Sequence, residues 1–471
     1  AQADPFPLPS GRASPTPTLT MRAAWSALGL LLVQAALAVP PGLDAKLEQV
    51  ATATSAKFNC SVSIAYRDAG GRAAAAFGTI DFGSGRKASV EDRYPFGSIT
   101  KFLTGASVMK LVAEGSLSLD DAIAPLVDPM LAKMADADPS QSFRSLADLF
   151  GEEEISQTTV RQLLGMRSGV PDFDTATPCM PFIPWCRSKD SLRQTIYAAP
   201  NESYSPARLM SLPWVAHHFK QCRQKLPIIS AFCYSSTNFM LLGMILAAKA
   251  GATSWETFDQ STVLPEYLKD KITFAKSGSP RDYTTVHGYD RTSYNLPKGQ
   301  QNHHDNWEVS GVFSGWTASD IVATPATIAD LTWEVYGPNY AIAPEATARL
   351  MIPGARDIYG LATFNLSMNT GQSGKYHPAY GHLGATYGYQ SITAYFPALQ
   401  ASLTVATNIE RDYQEQPGYA MCFAYNEAAA LMLNTTARCV ESRSTGFYGA
   451  RCKCEPLEEG AAGRNEEALI V

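Results

Sequence analysis

The sequence carries little charge and no concentrated basic region. Only 17% of its 471 residues are Asp, Glu, Lys or Arg, and the formal net charge is -6. The chain contains no run of lysines or arginines and no internal repeat. Because nucleic acids are bound by clustered positive charge, this composition argues against a nucleic-acid partner. The 45% hydrophobic content is enough to bury a substantial core, which we interpret as one two-lobed domain.

Familiar metal-binding spacings are missing as well. The sequence has no C-x-x-C pair and no histidines at zinc-finger spacing after a cysteine pair. His303, His304 and Asp305 are adjacent, but they lie in a polar segment without a third ligand nearby in sequence, so a solvated loop is the better interpretation. We therefore predict neither a metal nor a cofactor.

Nine cysteines point to an oxidising compartment. Two pairs are close in sequence, Cys179/Cys186 and Cys222/Cys233, and further cysteines follow near the end at Cys439, Cys452 and Cys454. Several disulfides are expected, although their connectivity is not readable from spacing and the odd count leaves one thiol over. Sequons are compatible with glycosylation but are expected by chance in part; they begin at Asn59, Asn201, Asn365 and Asn434.

Residues 21–38 have the pattern of a secretory signal peptide. One basic residue follows Met21, an apolar stretch too short to span a membrane easily comes next, and Ala36-Leu37-Ala38 resembles a cleavage site. Residues 1–20 are rich in Pro and Ser and are interpreted as a leader that is untranslated or disordered. These features predict a protein that is secreted or lumenal, with no stable membrane span after cleavage. An uncleaved anchor is the alternative.

The pattern Ser-x-x-Lys occurs three times, and its setting distinguishes the copies. Ser84 lies in a Gly-rich polar turn, and Ser107 lies in the middle of a helical pattern. Ser98 alone opens such a pattern, because apolar residues recur at helical spacing from Ile99 onward and Gly115 ends the run.

The Ser98 copy places a hydroxyl and an amine on one helix face. Side chains at i and i+3 are neighbours, and an amine in apolar surroundings is driven toward its neutral form, so Lys101 could accept the serine proton. Backbone N–H groups at the start of a helix could also stabilise an oxyanion. The structural alternative is that Ser98 caps the helix and Lys101 extends to water.

Two later segments supply further chemical groups. Tyr234-Ser235-Ser236 precedes an apolar helix and offers a phenol, and Gly381-His382-Leu383-Gly384 offers an imidazole in a Gly-rich stretch. Each is ordinary alone, since such residues are usually part of a core or a turn.

In the order S-x-x-K, Y-x-S, H-x-G, these segments resemble the active-site motifs of the serine β-lactamase and penicillin-binding-protein superfamily. The likeness is to its branch of class C β-lactamases, D-alanyl-D-alanine carboxypeptidases and esterases. The segment from Val160 to Phe173 resembles the branch's L-L-x-H-x-S-G-L region, with Met166 in place of the histidine, and residues 322–331 resemble the helix start before the third motif. The resemblance covers residues 40–435.

The resemblance implies the roles of the catalytic residues. Ser98 would attack a carbonyl, and Lys101 with Tyr234 would take and return the proton. The backbone N–H groups of Ser98 and Ala385 would hold the oxyanion. His382 would occupy the place of the lysine in a K-T-G motif and would hydrogen-bond a catalytic hydroxyl or bind a substrate carboxylate.

Substrate contacts are assigned in the same way, to Gly384 and Ser236. The family commonly has Asn where this chain has Ser236, and a serine reaches less far toward a substrate amide. The resemblance therefore predicts that esters are turned over more readily than D-alanine peptides or β-lactams.

The coarse structure is predicted to be of the α/β (α+β) class. Val62–Tyr66 with 73–82 and Gln390–Phe396 with Ala401–Thr407 are predicted hairpins, and 419–433 a closing helix. We expect one antiparallel sheet built from both chain ends, flanked by helices, with a mainly helical lobe inserted, as in the β-lactamase fold. The predicted hydrolase domain is 40–435, and 436–471 is a cysteine-containing tail.

The sequence as a whole predicts a serine hydrolase that acts on a small-molecule or peptide substrate. The competing hypothesis is a protein of the same fold that binds or assembles without turnover. Met166 and Ser236 favour this alternative, whereas the filled serine, lysine, tyrosine and histidine positions favour the enzyme.

Overall fold

A computed structural model describes residues 39–174, 192–222, 232–292, 304–355, 357–367, 378–411, 414–435 and 439. The predicted leader and signal peptide, the pair Cys179/Cys186, His303 and the tail apart from Cys439 lie outside these residues. The α-helices of the described part are α1 Leu43–Phe58, α2 Thr100–Ala113, α3 Ala124–Ala137, α4 Leu146–Phe150, α5 Glu152–Ile155, α6 Val160–Leu164, α7 Leu192–Ala198, α8 Pro206–Met210, α9 Thr237–Lys249, α10 Glu266–Lys269, α11 Pro325–Tyr336, α12 Glu345–Ala348 and α13 Glu415–Leu433.

The strands are short except in the main sheet. They are β1 Val62–Asp68, β2 Gly71–Phe77, β3 Thr79–Asp81, β4 Arg86–Lys87, β5 Tyr94–Pro95, β6 Thr273–Phe274, β7 Tyr289–Asp290, β8 His304–Asp305, β9 Ile321–Ala323, β10 Phe364–Asn365, β11 Tyr380–Thr386, β12 Tyr389–Phe396, β13 Ala401–Thr407 and β14 Ile409–Glu410. Short 3₁₀ turns join several of these elements, including the one at Gly97–Ile99.

The main sheet has six antiparallel strands in the order β10-β11-β12-β13-β1-β2. Its centre joins the two ends of the chain, because β1 pairs with β13 so that Ile64 faces Val405. All eight residues of β12 are buried, including the polar Gln390, Ser391 and Thr393. The predicted class and the sheet built from both chain ends are confirmed.

Helices cover both faces of this sheet. Phe396 stacks near Tyr425 of α13, with ring centroids 4.7 Å apart. On the same strand, the Thr393 hydroxyl lies 2.7 Å from the Thr332 hydroxyl of α11. Because residues 393 and 396 point to opposite faces of a strand, α11 and α13 lie on opposite sides of the sheet.

The predicted second arm of the N-terminal hairpin is wrong in its extent. β2 ends at Phe77, and residues 79–81 pair with β4 in a separate two-stranded sheet. The break occurs at Gly78, which has φ of 101°, and a Cβ there would lie 2.3 Å from the carbonyl oxygen of Cys60. Only glycine fits this turn, so the chain leaves the main sheet at that point.

The predicted helical lobe is formed by residues between β5 and β10, apart from α11, which packs against the main sheet. α9 lies in its centre, with all residues from Thr237 to Ala247 buried, and contacts α2, α3 and α6. Disulfides join Cys222 to Cys233 and Cys422 to Cys439, whereas Cys60 is a free, buried thiol. Among the described residues, no helix has the length and apolar character needed to cross a membrane.

Candidate active site

Ser98 lies in the tight turn that leads into α2. The 3₁₀ turn Gly97–Ile99 precedes the helix, and Phe96 N–H donates to the Ile321 carbonyl of β9 at 2.9 Å. The predicted helix start is therefore confirmed, with Ser98 two residues before the regular helix. Its side chain is almost completely buried but lines a cleft.

Lys101 lies one turn further along and is completely buried. Its Nζ donates to Ser98 Oγ at 2.8 Å and to the Ala318 carbonyl at 2.9 Å. Burial lowers the pKa of Lys101 from 10.5 to about 7, although the nearby Asp172 and Asp174 carboxylates act in the opposite direction. The amine does not extend to water, contrary to the structural alternative, and much of it is neutral near pH 7.

Tyr234 approaches Ser98 from the other side of the cleft. Its hydroxyl donates to Ser98 Oγ at 2.9 Å. The segment before α9 is held by Met166, whose carbonyl accepts from Cys233 N–H at 2.8 Å and whose sulfur accepts from Ser235 N–H at 3.3 Å. Met166 thus holds the segment that carries Tyr234, although it departs from the L-L-x-H-x-S-G-L pattern, which has a histidine at this position.

Ser236 lines the same cleft as Ser98. Its backbone N–H donates to Asp172 Oδ1 at 2.9 Å. The residue is only 4% exposed, and its hydroxyl makes no hydrogen bond to any residue that the structure describes. A hydroxyl on the cleft wall that has no partner among the described residues is available to a ligand.

The strand β11 packs its backbone directly against the serine turn. Gly97 has φ of 52°, and a Cβ on it would lie 2.6 Å from the Ala385 carbonyl oxygen and 3.1 Å from Ala385 N. A Cβ on Gly384 would lie 2.2 Å from the Phe96 carbonyl oxygen. Two glycines therefore permit the close approach that places Ala385 beside Ser98 on the cleft wall.

His382 lies within β11 but does not contact the Ser98 or Tyr234 hydroxyl. It is completely buried; Nε2 lies 3.0 Å from the Tyr359 hydroxyl and Nδ1 lies 2.6 Å from the Leu383 carbonyl. Desolvation lowers its pKa from 6.5 to about 3, so the ring is neutral. The expected hydrogen bond from His382 to Ser98 or Tyr234 is not present, because Tyr359 occupies Nε2.

The cleft beside Ser98 is open to solvent. It is bounded by residues from the helical lobe, from the end of β11 and from β14, namely Ser98, Phe173, Asp174, Arg193, Ser236, Val312, Gly315, Ser319, Ala385, Thr386, Tyr387 and Glu410. In the described part of the chain, no three His, Cys, Asp or Glu side chains form a group that could hold a metal ion.

Sequence reasoning missed the charged residues of this cleft. Asp172 and Asp174 lie in the segment after Met166, so the resemblance of that segment was a usable signal for them. Arg193 and Glu410 are 217 positions apart and meet in an ion pair, which no local pattern reveals.

Comparison with known proteins identifies relatives of this arrangement. A family model described as Beta-lactamase matches residues 60–421. The D-amino acid amidase of Ochrobactrum anthropi SV3 superposes with a TM-score of 0.59 at 17% identity, covering 83% of this chain and 99% of that one. A D-stereospecific amidohydrolase from Streptomyces sp. gives 0.57 at 19% identity, with 83% and 99% covered.

A third solved structure is an octameric penicillin-binding protein homologue from Pyrococcus abyssi. It superposes with a TM-score of 0.59 at 20% identity and covers 83% of this chain and 78% of that chain. At such identities these structures show a shared fold. The family match lies inside the predicted domain 40–435, whose outer bounds stay a prediction.

Proposed function

Because the chain belongs to the β-lactamase family of serine hydrolases, we propose that it hydrolyses small esters, amides or peptides through an acyl-enzyme on Ser98. The observation that carries this proposal is the contact of one hydroxyl with two proton carriers. Ser98 Oγ lies 2.8 Å from Lys101 Nζ and 2.9 Å from the Tyr234 hydroxyl, at the wall of a cleft. A binding protein without turnover has no need of a buried amine of lowered pKa at this point.

The proposed reaction begins with attack of Ser98 Oγ on the substrate carbonyl carbon. The serine proton passes to neutral Lys101, with Tyr234 as its partner or as the alternative base, and then to the leaving amine or alcohol. Backbone N–H groups of Ser98 and Ala385 hold the oxyanion. Water then hydrolyses the acyl-enzyme by the reverse sequence of proton transfers.

The role proposed for His382 is structural. A buried neutral ring bonded to Tyr359 supports β11, the strand that carries Gly384 and Ala385 to the serine turn. The Ser236 hydroxyl is proposed to meet the bound substrate, since it lines the cleft without a described partner. The amidases among the structural neighbours support amides as substrates, and the short Ser236 side chain supports esters.

We also propose that the protein is secreted or resides in the secretory lumen. The disulfides Cys222–Cys233 and Cys422–Cys439 support an oxidising compartment. The predicted signal peptide supports the same location. The proposed partner is a small-molecule or peptide substrate.

The acyl-enzyme is tested by labelling with a fluorophosphonate. The intact mass of the parent should rise by one adduct, and Ser98→Ala should not be labelled. Ser107→Ala is the matched control, because Ser107 shares the Ser-x-x-Lys spacing but bonds the Leu103 carbonyl within α2 at 2.9 Å. Labelling of Ser98→Ala equal to that of the parent would place the nucleophile elsewhere.

A further inference from the structure

The single cation that lines the described cleft is already matched by carboxylates. Arg193 donates to Asp290 at 2.8 Å and to Glu410 Oε1 at 2.7 Å, and it also bonds Glu410 Oε2. All three side chains are buried, and the two carboxylates outnumber the one guanidinium. Arg193 therefore has little capacity to bind an anionic substrate group.

Asp174 adds a carboxylate to the same cleft. Its Oδ1 accepts from the Tyr387 hydroxyl at 2.7 Å, and it forms no ion pair with any described residue. Its charge reaches the catalytic centre, because Asp172 and Asp174 are the carboxylates that stabilise the protonated form of Lys101. Negative charge thus extends from the cleft wall to the nucleophile.

The buried Ser236 hydroxyl is an independent sign of a ligand in this cleft. The Ser236 side chain has no partner among the described residues, and the residue's backbone N–H, which donates to Asp172, fixes its place on the cleft wall. His382, which was expected to bond a hydroxyl of the site or a substrate carboxylate, is completely buried, and its Nε2 is occupied by Tyr359. The described cleft therefore offers a hydroxyl and a carboxylate, but no free cation.

We infer that Asp174 binds a protonated amine of the substrate, and that the preferred substrates are esters or amides of amino acids or peptides with a free amino group near the scissile carbonyl. This inference rests on the proposed function, since it assigns the substrate class of the same cleft. An ammonium group that replaces water at a partly buried carboxylate gains a charge-assisted hydrogen bond. N-acylated substrates lose this contact and leave the carboxylate partly desolvated.

The test compares substrates that differ only in the amine. The p-nitroanilides of D- and L-alanine are assayed beside their N-acetyl forms, at about pH 7, where an α-amine is still largely protonated. We expect the parent to prefer the free amine by at least about tenfold in kcat/KM, about 1.4 kcal/mol of transition-state binding. Asp174→Asn should lower this preference about tenfold, mainly through KM, and Asp174→Glu should restore part of it.

Two controls separate charge recognition from a structural role. Asp270→Asn removes a carboxylate from an exposed site and should keep the parent preference. In the parent itself, added salt should reduce the preference for the free amine modestly, because screening also weakens, to a smaller extent, an ion pair that is only partly buried. This second readout needs no variant at Asp174.

The possible failures are distinguishable. Fluorophosphonate labelling of Ser98 together with equal hydrolysis of both substrates would overturn the amine inference and leave the proposed function standing. An equal loss for both substrates in Asp174→Asn would show that Asp174 only supports the fold of the cleft, which also overturns the inference. A parent that neither labels nor hydrolyses any substrate contradicts the proposed function itself.

Discussion

At the scale of single residues, the burial of Lys101 changes the chemistry of its amine. Its amine is enclosed by α2, the 3₁₀ turn at Trp316–Ala318 and the Tyr234 ring, 5.4 Å from its centroid. Burial favours the neutral amine, and Asp172 and Asp174 prevent a larger shift, so the pKa of Lys101 lies at about 7. A general base whose pKa lies near the working pH combines a useful deprotonated fraction with adequate basicity.

Lys101→Arg is expected to be almost inactive although it keeps the positive charge. Arginine cannot release its proton in a protein, so it cannot accept one from Ser98. In the parent, kcat/KM should fall as the pH drops below about 7, because protonation of Lys101 removes the base. Both effects are measured by steady-state hydrolysis of a p-nitrophenyl ester.

Lys110→Arg is the matched control, because Lys110 belongs to the same helix and to the Ser107 copy of the motif. It should retain the rate and the pH profile of the parent. Near-parent turnover in Lys101→Arg would instead identify Tyr234 as the base. Circular dichroism should accompany the assay, since a larger cation in the core also costs stability.

The positions of the candidate site could be predicted from the sequence to different extents. The meeting of Ser98, Lys101 and Tyr234 could be predicted because each lies at or just before the start of a helix, where a short pattern specifies geometry. The environment of His382 was not found, since its partner Tyr359 is 23 positions away and nothing local links the two. The H-x-G motif identified His382, but the packing around β11 determines that its ring contacts Tyr359.

At the scale of helices and strands, the contact between the Gly97–Ile99 turn and β11 limits which substitutions the site tolerates. Gly97 adopts φ of 52°, and its α-carbon faces the Ala385 backbone. The contact is between two main chains, so neither side can yield by changing a rotamer. The position of Ala385 N relative to Ser98 is therefore fixed by a glycine.

Gly97→Ala should reduce both stability and kcat. The new Cβ would lie 2.6 Å from the Ala385 carbonyl oxygen, so β11 must move away from the serine. Gly115→Ala is the control, because Gly115 has a similar φ of 70° but nothing within 4 Å of a new Cβ. It should lose only the stability that the left-handed backbone costs a residue with a Cβ, about 1–2 kcal/mol. Thermal melts and ester hydrolysis measure the two effects, and equal losses in both variants would refute the steric explanation.

Much of the secondary structure followed from local patterns, whereas its assembly did not. Alternating and apolar runs located β1, β12 and β13, and α13 begins at Glu415, four residues before the predicted start. The break of β2 at Gly78 depends on the Cys60 carbonyl, which belongs to the preceding helix–strand connection. Such a tertiary contact has no signature in the strand itself, so the end of β2 could not be predicted.

For the folded chain as a whole, buried ionisable groups make stability depend on pH. The unfolded chain binds more protons than the native chain at Lys101 between about pH 7 and 10.5, and at His382 between about pH 3 and 6.5. Stability therefore rises with pH across each of these two windows. Both groups are buried at the junction of the helical lobe and the sheet, so this dependence accompanies the formation of the active site.

Asp320 makes the stability of the folded chain depend on pH in the opposite direction. Its carboxyl is completely buried between β9 and the segment that leads from β6; Oδ2 accepts from Gln260 at close range, and Oδ1 has no partner among the described residues. Desolvation raises its pKa from 3.8 to about 8. The native state holds a proton there that the unfolded state releases, so this contribution to stability is complete below pH 3.8 and is lost as the pH rises toward 8.

Asp320→Asn should therefore become progressively more stable than the parent as the pH is raised. Asparagine keeps the shape and the acceptor for Gln260 but has no proton to lose. The difference in Tm between variant and parent removes the common contributions of Lys101 and His382, and it should grow by several degrees from about pH 5 to about pH 8, then level off. For the control Asp270→Asn, at an exposed site, the difference in Tm from the parent should stay constant over this pH range. A constant difference for Asp320→Asn as well would mean that the buried carboxyl is ionised in the native state, with water or a neighbouring group satisfying Oδ1.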